Sequence, residues 1–340
     1  MKKSITVVDI AREAGVSVST VSRVLTGNAK VSESKSIAIK KIIEKYNFHP
    51  NALARGLINT KSNMIGILAA DIRNPYYSAL FVSCENAALE RGYNLTLFNS
   101  FSDRLKEFEL IEKIAQQRVD ALILLGGAPD DLVTDTEFAD KINIISDSIP
   151  VLITGRLDGT NCTRININNQ KAMSLVMEYI SSHKHLKKVA FAGGSSRVYS
   201  TSILRSCYKN LLRQYGLEYI PEFDVQNNRY DDDGGYEAMN TILSNDTVPD
   251  VVIAINDFAA VGVMRSINEH NLRIPDDISI ISFDDTYIST LVTPHLTSIS
   301  YNYWAFGETI IENAIRLIDG KEVPPELLIE PKLIIRDSCR

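Results

Sequence analysis

From residue 64 onward, short apolar runs alternate with amphipathic stretches, and this alternation limits the possible folds more than any other feature of the chain. The apolar runs are residues 65–70, 121–125, 151–154, 189–192, 251–255 and 278–282. The amphipathic stretches include residues 76–91, 104–117, 170–182, 203–215, 234–244 and 257–270. Short continuous apolar runs that alternate with helices are typical of buried parallel strands in doubly wound α/β sheets. Because the segment is long for one such sheet, we expect two similar lobes.

Polar and aromatic side chains follow four of these predicted strands. The segments that carry these side chains begin at Asp71, Gly155, Asn256 and Phe283. Ligands of open α/β sheets bind beyond the carboxyl ends of the strands, so these side chains are expected to face one cleft. Arginine and carboxylate groups bridge neighbouring hydroxyls, and aromatic rings pack on the apolar faces of sugars. The pattern therefore predicts a ligand site in this cleft, and its mixture of groups is one that sugar recognition needs.

Residues 5–26 have the pattern of a helix-turn-helix. Thr6 and Asp9 have the spacing of a capping box, and Gly15 is placed to end the first helix. Ser17 is expected to cap a second helix only three residues later, from about residue 18 to residue 25. A third helix capped by Ser32 completes a small core. Residues 1–50 are therefore predicted to form a DNA-binding domain.

Charge is distributed unevenly between this head and the rest of the chain. Residues 1–60 carry ten Lys and Arg against four Asp and Glu, whereas the remainder carries 26 against 38. The overall net charge of −6, taken alone, argues against the binding of nucleic acid. The basic head nevertheless predicts a polyanionic partner for that part of the chain.

In a helix-turn-helix module, the second helix enters the major groove of DNA. We expect Val18, Ser19 and Arg23 to face base edges, with Arg23 placed for a bidentate bond to guanine. Phosphate contacts that fix the register are expected from Thr6, Ser17, Thr20, Ser22 and Lys30. The simpler alternative is that each hydroxyl only caps a helix or is solvated, and that Arg23 forms a surface ion pair.

The string TVVDIAREAGVSVSTVSRVL at residues 6–25, followed by NALARGL at residues 51–57, resembles the lactose-repressor (LacI/GalR) family of bacterial transcription regulators. The resemblance continues through residues 64–336 and so covers nearly the whole chain. It implies a sequence-specific DNA-binding regulator of carbohydrate-utilisation genes, a repressor switched allosterically by a small effector. It also implies a cytoplasmic homodimer, associated with the nucleoid when bound to a pseudo-palindromic operator.

The resemblance implies a hinge helix at about residues 51–59, within a hinge and linker segment of residues 51–62. Leu57 matches the leucine that wedges open a base step in the minor groove, and Asn51, Ala54 and Arg55 match neighbouring contact positions. A helix this short is marginal alone, and Gly56 weakens it further. Such a segment suits a switch that orders only on DNA.

For residues 63–340 the resemblance implies a periplasmic-binding-protein type I fold, in which two lobes enclose an effector. The chain is expected to cross between lobes near residues 164–168, 295–300 and 329–333. That gives an N-lobe of about residues 63–166 and 298–330, and a C-lobe of about residues 167–297 and 331–340. The effector positions fall on Tyr77, Arg156, Thr201, Arg205, Tyr230, Asn256 and Asp284. Arg205 and Asp284 match the residues that hold ligand hydroxyls in the family.

Three departures from the family pattern affect these expectations. Thr26 stands where the family usually has an asparagine, and Asn168 replaces an acid near the first crossing. The loop at residues 194–205 is idiosyncratic and contains Arg197. Together with Arg156 and Arg205, Arg197 suggests a sugar acid or sugar phosphate beside neutral sugars. A nucleobase corepressor or a phosphoprotein co-effector is the alternative within the family.

Other functional classes fit the sequence less well. An enzyme is not expected, because the chain has no phosphate-binding glycine motif, no nucleophile elbow and no histidine spacing for a metal. Cys84, Cys162, Cys207 and Cys339 lie too far apart for a zinc site. No catalytic residue, metal or cofactor is predicted. A periplasmic transport receptor would have a signal peptide. Here Asp9, Arg12 and Glu13 interrupt the apolar stretch that a signal peptide requires, so none is expected.

Overall fold

The computed structural model describes residues 5–26, 31–46, 48 and 61–340, which divide into two compact units at Ser62. The first unit contains helices α1 (Val7–Glu13), α2 (Val18–Thr26) and α3 (Glu33–Lys45). They enclose a small core whose buried members are Ile10, Ala11, Val21 and Ile39. The predicted helix-turn-helix head is therefore confirmed.

The caps of the head follow the sequence at one helix and depart from it at another. The backbone N–H of Asp9 donates to Thr6 Oγ1 at 3.3 Å, and Thr6 N–H donates to Asp9 Oδ2 at 3.0 Å, which completes the predicted capping box. Gly15 has a φ of +66°, a left-handed conformation that glycine adopts without steric cost. The predicted cap by Ser32 is wrong, since its side chain makes no capping hydrogen bond to α3.

The second unit contains the two predicted doubly wound sheets. Its strands are β1 (Met64–Ala69), β2 (Asn94–Asn99), β3 (Ala121–Leu125), β4 (Val151–Thr154), β5 (Thr163–Ile167), β6 (Val189–Ala192), β7 (Asp224–Val225), β8 (Val251–Ala254), β9 (Ser279–Asp284), β10 (Thr297–Ser300), β11 (Glu326–Ile329) and β12 (Lys332–Ile334). The first sheet has the order β11-β5-β4-β3-β1-β2, and the second has the order β12-β10-β9-β8-β6-β7. All described pairings are parallel except that of β10 with β12.

Helices cover the faces of both sheets and supply the apolar layers that bury them. They are α4 (Pro75–Glu90), α5 (Arg104–Gln116), α6 (Thr136–Ser146), α7 (Asn169–Ser182), α8 (Tyr199–Gln214), α9 (Asp232–Leu243), α10 (Asp257–Glu269), α11 (Ile288–Leu291) and α12 (Tyr303–Ile318). Short 3₁₀ turns lie at Ala128–Asp130 and Pro221–Phe223. None of the helices described is long and apolar enough to cross a membrane.

The chain passes from one sheet to the other after β5, after β10 and after β11. The expected start of the second N-lobe segment at residue 298 is therefore too early. Ile299 pairs with Phe283 inside the second sheet, where both side chains are buried, so the chain leaves that sheet only after Ser300. Asn168 caps α7 through Lys171 N–H at 3.0 Å, and its amide donates to Glu330 at 2.9 Å. The first and third crossings are thereby tied together.

Helices α9 and α10 pack in close contact because each has a glycine at the crossing. A Cβ atom on Gly262 would lie 1.7 Å from the carbonyl oxygen of Asp232, and one on Gly235 would lie 1.9 Å from that of Ala259. This packing aligns the N-termini of the two helices. Tyr230 and Asn256, which precede them, are consequently held side by side.

We expect Gly262→Ala to lower the free energy of unfolding by about 1–3 kcal/mol, because the added methyl group overpacks the helix crossing. Urea denaturation followed through the fluorescence of Trp304, the single tryptophan of the chain, measures this in the body. Thr241→Ala, at an exposed position of α9, is the control and should change the free energy by no more than about 0.5 kcal/mol. Equal stability of Gly262→Ala and the wild type would contradict the close packing.

Candidate functional site

A cleft of about 890 Å³ lies between the two sheets of the body. Its walls are formed largely by the segments that follow the parallel strands and by the first turns of the helices that these segments enter. Segments after β1, β3, β4 and β5 line it from the first sheet, and the end of β9 and the segments after β6, β7 and β8 line it from the second. The cleft therefore has the location that the fold predicts for a ligand.

Five of the seven side chains predicted to bind effector line this cleft: Tyr77, Thr201, Tyr230, Asn256 and Asp284. Three of them form one hydrogen-bonded wall. Asn256 caps α10 by accepting from Ala259 N–H at 2.7 Å, and its amide donates to the Tyr230 carbonyl at 3.0 Å. The hydroxyls of Tyr230 and Thr201 lie 2.9 Å apart. Oriented hydroxyl and amide groups of this kind recognise a ligand rich in hydroxyls.

Tyr77 reaches the cleft from the first turn of α4, which Asn74 caps by accepting from Tyr76 N–H at 3.1 Å. The phenol packs against Gly126 at the end of β3, where a Cβ atom would lie 2.2 Å from the Tyr77 hydroxyl. Gly126 is thus required both by its φ of +68° and by this close approach. Burial raises the pKa of Tyr77, so the phenol stays protonated and is available as a donor.

Asp284 ends β9 in an unusual state. Its φ is +99°, its side chain is only 7% exposed, and no hydrogen bond to the carboxyl group occurs among the described residues. Burial, and to a lesser degree the neighbouring Asp257 carboxylate, hold the pKa of Asp284 well above its usual range. A strained backbone and a buried acid without a partner both cost stability and are typical of functional sites.

Asp257 lies beneath Asp284 and has a structural role. It accepts hydrogen bonds from the hydroxyls of Ser282 at 2.6 Å and Ser298 at 2.7 Å, and from both the N–H and the hydroxyl of Thr286. Burial raises the pKa of Asp257 to about 6. Its hydrogen bonds join β9, β10 and the turn after β9, which fixes the floor of the cleft.

The expectation that Arg205 lines the cleft is wrong. Its guanidinium is buried at the carboxyl ends of β6 and β7, where it pairs with Asp224 and donates to the carbonyl oxygens of Gly193 and Val225. The preceding residue, Leu204, lines the cleft instead. Successive residues of an α-helix point about 100° apart, so Leu204 faces the cleft while the Arg205 side chain turns toward Asp224 and the ends of β6 and β7.

Arg156 and Arg197 also fail to line the cleft. The Arg156 guanidinium lies 4.6 Å from the ring centre of Tyr199 and donates to the Leu132 carbonyl at 3.0 Å, so it contributes to contact between the lobes. Arg197 is exposed. The suggested anionic ligand depended on these two residues and Arg205. Without them in the cleft, that suggestion loses its basis.

A contact that was not predicted from the sequence joins the two lobes at the cleft. Asp130, which follows β3, accepts from the Ser200 N–H at 3.0 Å and from the Ser200 hydroxyl at 2.7 Å at the start of α8. A backbone bond from Leu132 N–H to the Arg197 carbonyl at 2.7 Å lies beside it. Burial raises the pKa of Asp130 to about 6. Asp130 lies in the segment that follows the predicted strand at residues 121–125. The expectation that polar side chains beyond the carboxyl ends of strands face the cleft would have identified it, had it been applied to this strand as well.

In the head, the N-terminus of α2 presents a cluster of hydroxyls. The Ser17 hydroxyl accepts from Thr20 N–H at 3.3 Å and lies 2.8 Å from the hydroxyls of both Ser19 and Thr20. Val18 is exposed beside this cluster, and Arg23 is exposed one turn further along the helix. The outward face of α2 therefore carries the side chains that the sequence assigns to base contacts.

The other predicted DNA contacts are placed as follows. The Thr6 hydroxyl is exposed and bonded to Asp9 at 2.6 Å, and Ser22 is half-buried on α2. Lys30, Asn51, Ala54, Arg55 and Leu57 lie outside the described residues, and so does the predicted hinge helix.

Comparisons with known proteins match both units. The model of the family "Bacterial regulatory proteins, lacI family" matches residues 6–51, and that of a periplasmic binding protein-like domain matches residues 181–339. Catabolite control protein A of Staphylococcus xylosus is 30% identical over 336 residues, 98% of this chain and 96% of that protein.

Solved structures show the same organisation. The lac repressor dimer bound to operator and the anti-inducer ONPF has a TM-score of 0.88 at 24% identity and covers 99% of both chains. A periplasmic binding protein/LacI transcriptional regulator from Alkaliphilus metalliredigens, complexed with D-xylulofuranose, has a TM-score of 0.70 at 26% identity. It covers 81% of this chain and 98% of that chain.

We expect Asp284→Asn to stabilise the protein in the absence of ligand. The pKa of Asp284 is raised on folding from 3.8, so the contribution of the protonated acid to stability is lost as the pH rises above that value. Asparagine removes the charge and tolerates a positive φ. The thermal midpoint should therefore rise at pH 8 by roughly 2–4 °C, the shift for about 1 kcal/mol, and by less at pH 5.

Asp246→Asn, an exposed position that loses the same charge, is the control for this measurement and should leave the midpoint unchanged at both pH values. A lower midpoint for Asp284→Asn at pH 8 would mean that the carboxylate stabilises the folded body. That result would contradict the destabilising effect expected of the buried Asp284 carboxylate.

Proposed function

We infer that this chain, which belongs to the lacI family of bacterial regulatory proteins, senses a small sugar in its cleft and thereby changes its affinity for operator DNA. It is a DNA-binding transcriptional regulator and not an enzyme. The observation that carries the sensing role is the cleft itself, in which hydroxyl, amide and carboxyl groups from both sheets face one space. We propose that the regulator represses genes of carbohydrate utilisation.

The head supports DNA recognition through α2. The N-terminus of this helix carries a partial positive charge and unpaired backbone N–H groups, which favour contact with phosphate. Ser17, Thr20, Thr6 and Ser22 are proposed to fix the register on the backbone. Val18, Ser19 and Arg23 are proposed to read base edges.

The hinge is proposed to complete the contact with DNA. Asn51, Ala54, Arg55 and Leu57 would then act in the minor groove, and Lys30 on a phosphate. The lac repressor structure is a dimer bound to operator, and we propose that this chain likewise binds a pseudo-palindromic site as a homodimer. We place its action in the cytoplasm, on the nucleoid.

A sugar is favoured as the effector. The solved relative with 26% identity holds D-xylulofuranose, and the cleft of this chain offers hydroxyl, amide and aromatic groups suited to such a ligand. Neither a nucleobase nor a phosphoprotein is favoured by the comparisons. Tyr77, Thr201, Tyr230, Asn256 and Asp284 are the proposed contacts.

The lobe contact suggests how binding is transmitted. A ligand that prefers one arrangement of the lobes shifts the population of that arrangement by its differential affinity. Asp130 and Ser200 join the lobes next to the ligand space, so the contact between them responds directly to occupancy of the cleft. The change is proposed to reach the head through residues 51–62.

Arg23→Ala should weaken binding to the specific operator by about 1–3 kcal/mol and relax the preference at one base pair. Fluorescence anisotropy on a site selected by the wild type from random DNA measures this at fixed salt. Arg12→Ala, which loses an equal charge on the exposed side of α1, is the matched control and should have a smaller and non-specific effect. Equal losses on specific and random DNA in Arg23→Ala would contradict base reading.

Thr201→Val should weaken the action of any active sugar without changing operator affinity in its absence. The variant keeps the side-chain shape and removes one hydroxyl from the hydrogen-bonded wall, so we expect about a tenfold higher sugar concentration for half-maximal effect. Operator anisotropy during sugar titration is the measurement. Thr309→Val, on α12 outside the cleft, serves as the control. An unchanged midpoint in Thr201→Val would remove Thr201 from the site.

A further inference from the structure

The arginines that line the cleft are all held by carboxylates. The short pairs are Arg73 with Asp71 at 2.6 Å, Arg104 with Glu107 at 2.6 Å, and Arg229 with Asp233 at 2.8 Å. No Lys or His occurs among the described residues that line the cleft. An anionic ligand would therefore have to displace an existing ion pair in order to gain a cationic partner.

Two acids in the cleft, one from each lobe, lack a cationic partner among the described residues. The Asp284 carboxyl group makes no hydrogen bond among the described residues, and besides burial the group that acts on its charge is another acid, Asp257. Asp130 is bonded only to the neutral Ser200. A buried carboxylate of this kind gains much from an incoming cation, since its own desolvation is otherwise uncompensated.

Aromatic rings line the same cleft as these two acids. Burial raises the pKa of Tyr77, and the charges of Asp130 and Asp284 add to the rise, so its phenol lies within the electrostatic reach of both carboxyl groups. Tyr76 and Tyr301 also line the cleft, with ring centres 6.1 Å apart in an edge-to-face arrangement. Aromatic rings attract cations, so they reinforce the preference that the carboxylates create.

We propose that the effector is a sugar that carries a protonated amino group, which binds at Asp284 on the side of the cleft that faces Asp130. This rests on the proposed function, since it assigns a charge class to the sugar in the same cleft. The sugar hydroxyls face the wall formed by Thr201, Tyr230 and Asn256. The ammonium group supplies the cationic partner that Asp284 lacks among the described residues.

The competing explanation is a neutral sugar bound to a protonated Asp284. Proton release on binding distinguishes this explanation from the amino-sugar proposal. An ammonium group favours the ionised form of Asp284, so binding an amino sugar releases a proton from the acid. The titratable groups that face Asp284 are Asp257 from α10, Tyr76 and Tyr77 from α4, Tyr301 after β10 and Tyr303 from α12. Since the tyrosines stay protonated, the released proton comes from the acids.

The test is calorimetric titration of the full-length chain at pH 7 with matched sugars. The probes are D-glucosamine, D-galactosamine and D-mannosamine, with the parent hexose, the N-acetyl derivative and the 6-phosphate of each. We expect at least one amine to bind tenfold or more tightly than its parent hexose and its N-acetyl derivative. Titration in two buffers of different ionisation enthalpy should reveal proton release with that amine.

Asp284→Asn should reduce the advantage of the amine over its parent hexose to less than threefold, and Asp246→Asn should leave it unchanged. The thermal midpoint of each variant establishes that it is folded. A neutral or phosphorylated sugar that binds as tightly as the amine would overturn the amino-sugar assignment and leave the sugar-sensing function standing. Retention of operator binding with no response to any sugar of the panel would overturn both.

Discussion

Parallel pairing of the strands is the constraint on which the rest of the body depends. It brings the segments that follow the strands to one edge of each sheet, and three crossings of the chain bring those two edges to a common cleft. Residues far apart in sequence, such as Asp130 and Asp284, thereby meet in one ligand space. Apart from their last residues, such as Asp284 of β9, the buried strands serve to fix these positions.

The cleft combines groups that are costly to the folded chain without ligand. Asp284 has a left-handed backbone and a buried carboxyl group without a partner, whereas Asp257 beneath it is fully hydrogen-bonded. Asp257 is therefore a structural acid, whereas the carboxyl group of Asp284 is available for binding. Groups that are destabilising until a ligand arrives give that ligand a large differential effect on conformation, which an allosteric regulator needs.

The sequence was sufficient for the two sheets, because the apolar runs at residues 121–125 and 251–255 leave no other arrangement than buried strands. It was insufficient for edge strands such as β2 and β11, whose polar residues resemble loops. At the site, residues at strand ends were placed well, as Asn256 and Asp284 illustrate. The place of Arg205 could not be predicted, because its side chain pairs with Asp224 and with backbone carbonyls, and the sequence does not show these tertiary partners.

Coupling between the cleft and the head is the central claim, and thermodynamic reciprocity tests it most directly. For a sugar that binds the full-length chain, the dissociation constant for operator would be measured with and without the sugar, and that for the sugar with and without operator. We expect equal factors in both directions, of about five or more. A sugar that occupies the cleft and leaves operator affinity unchanged would contradict it.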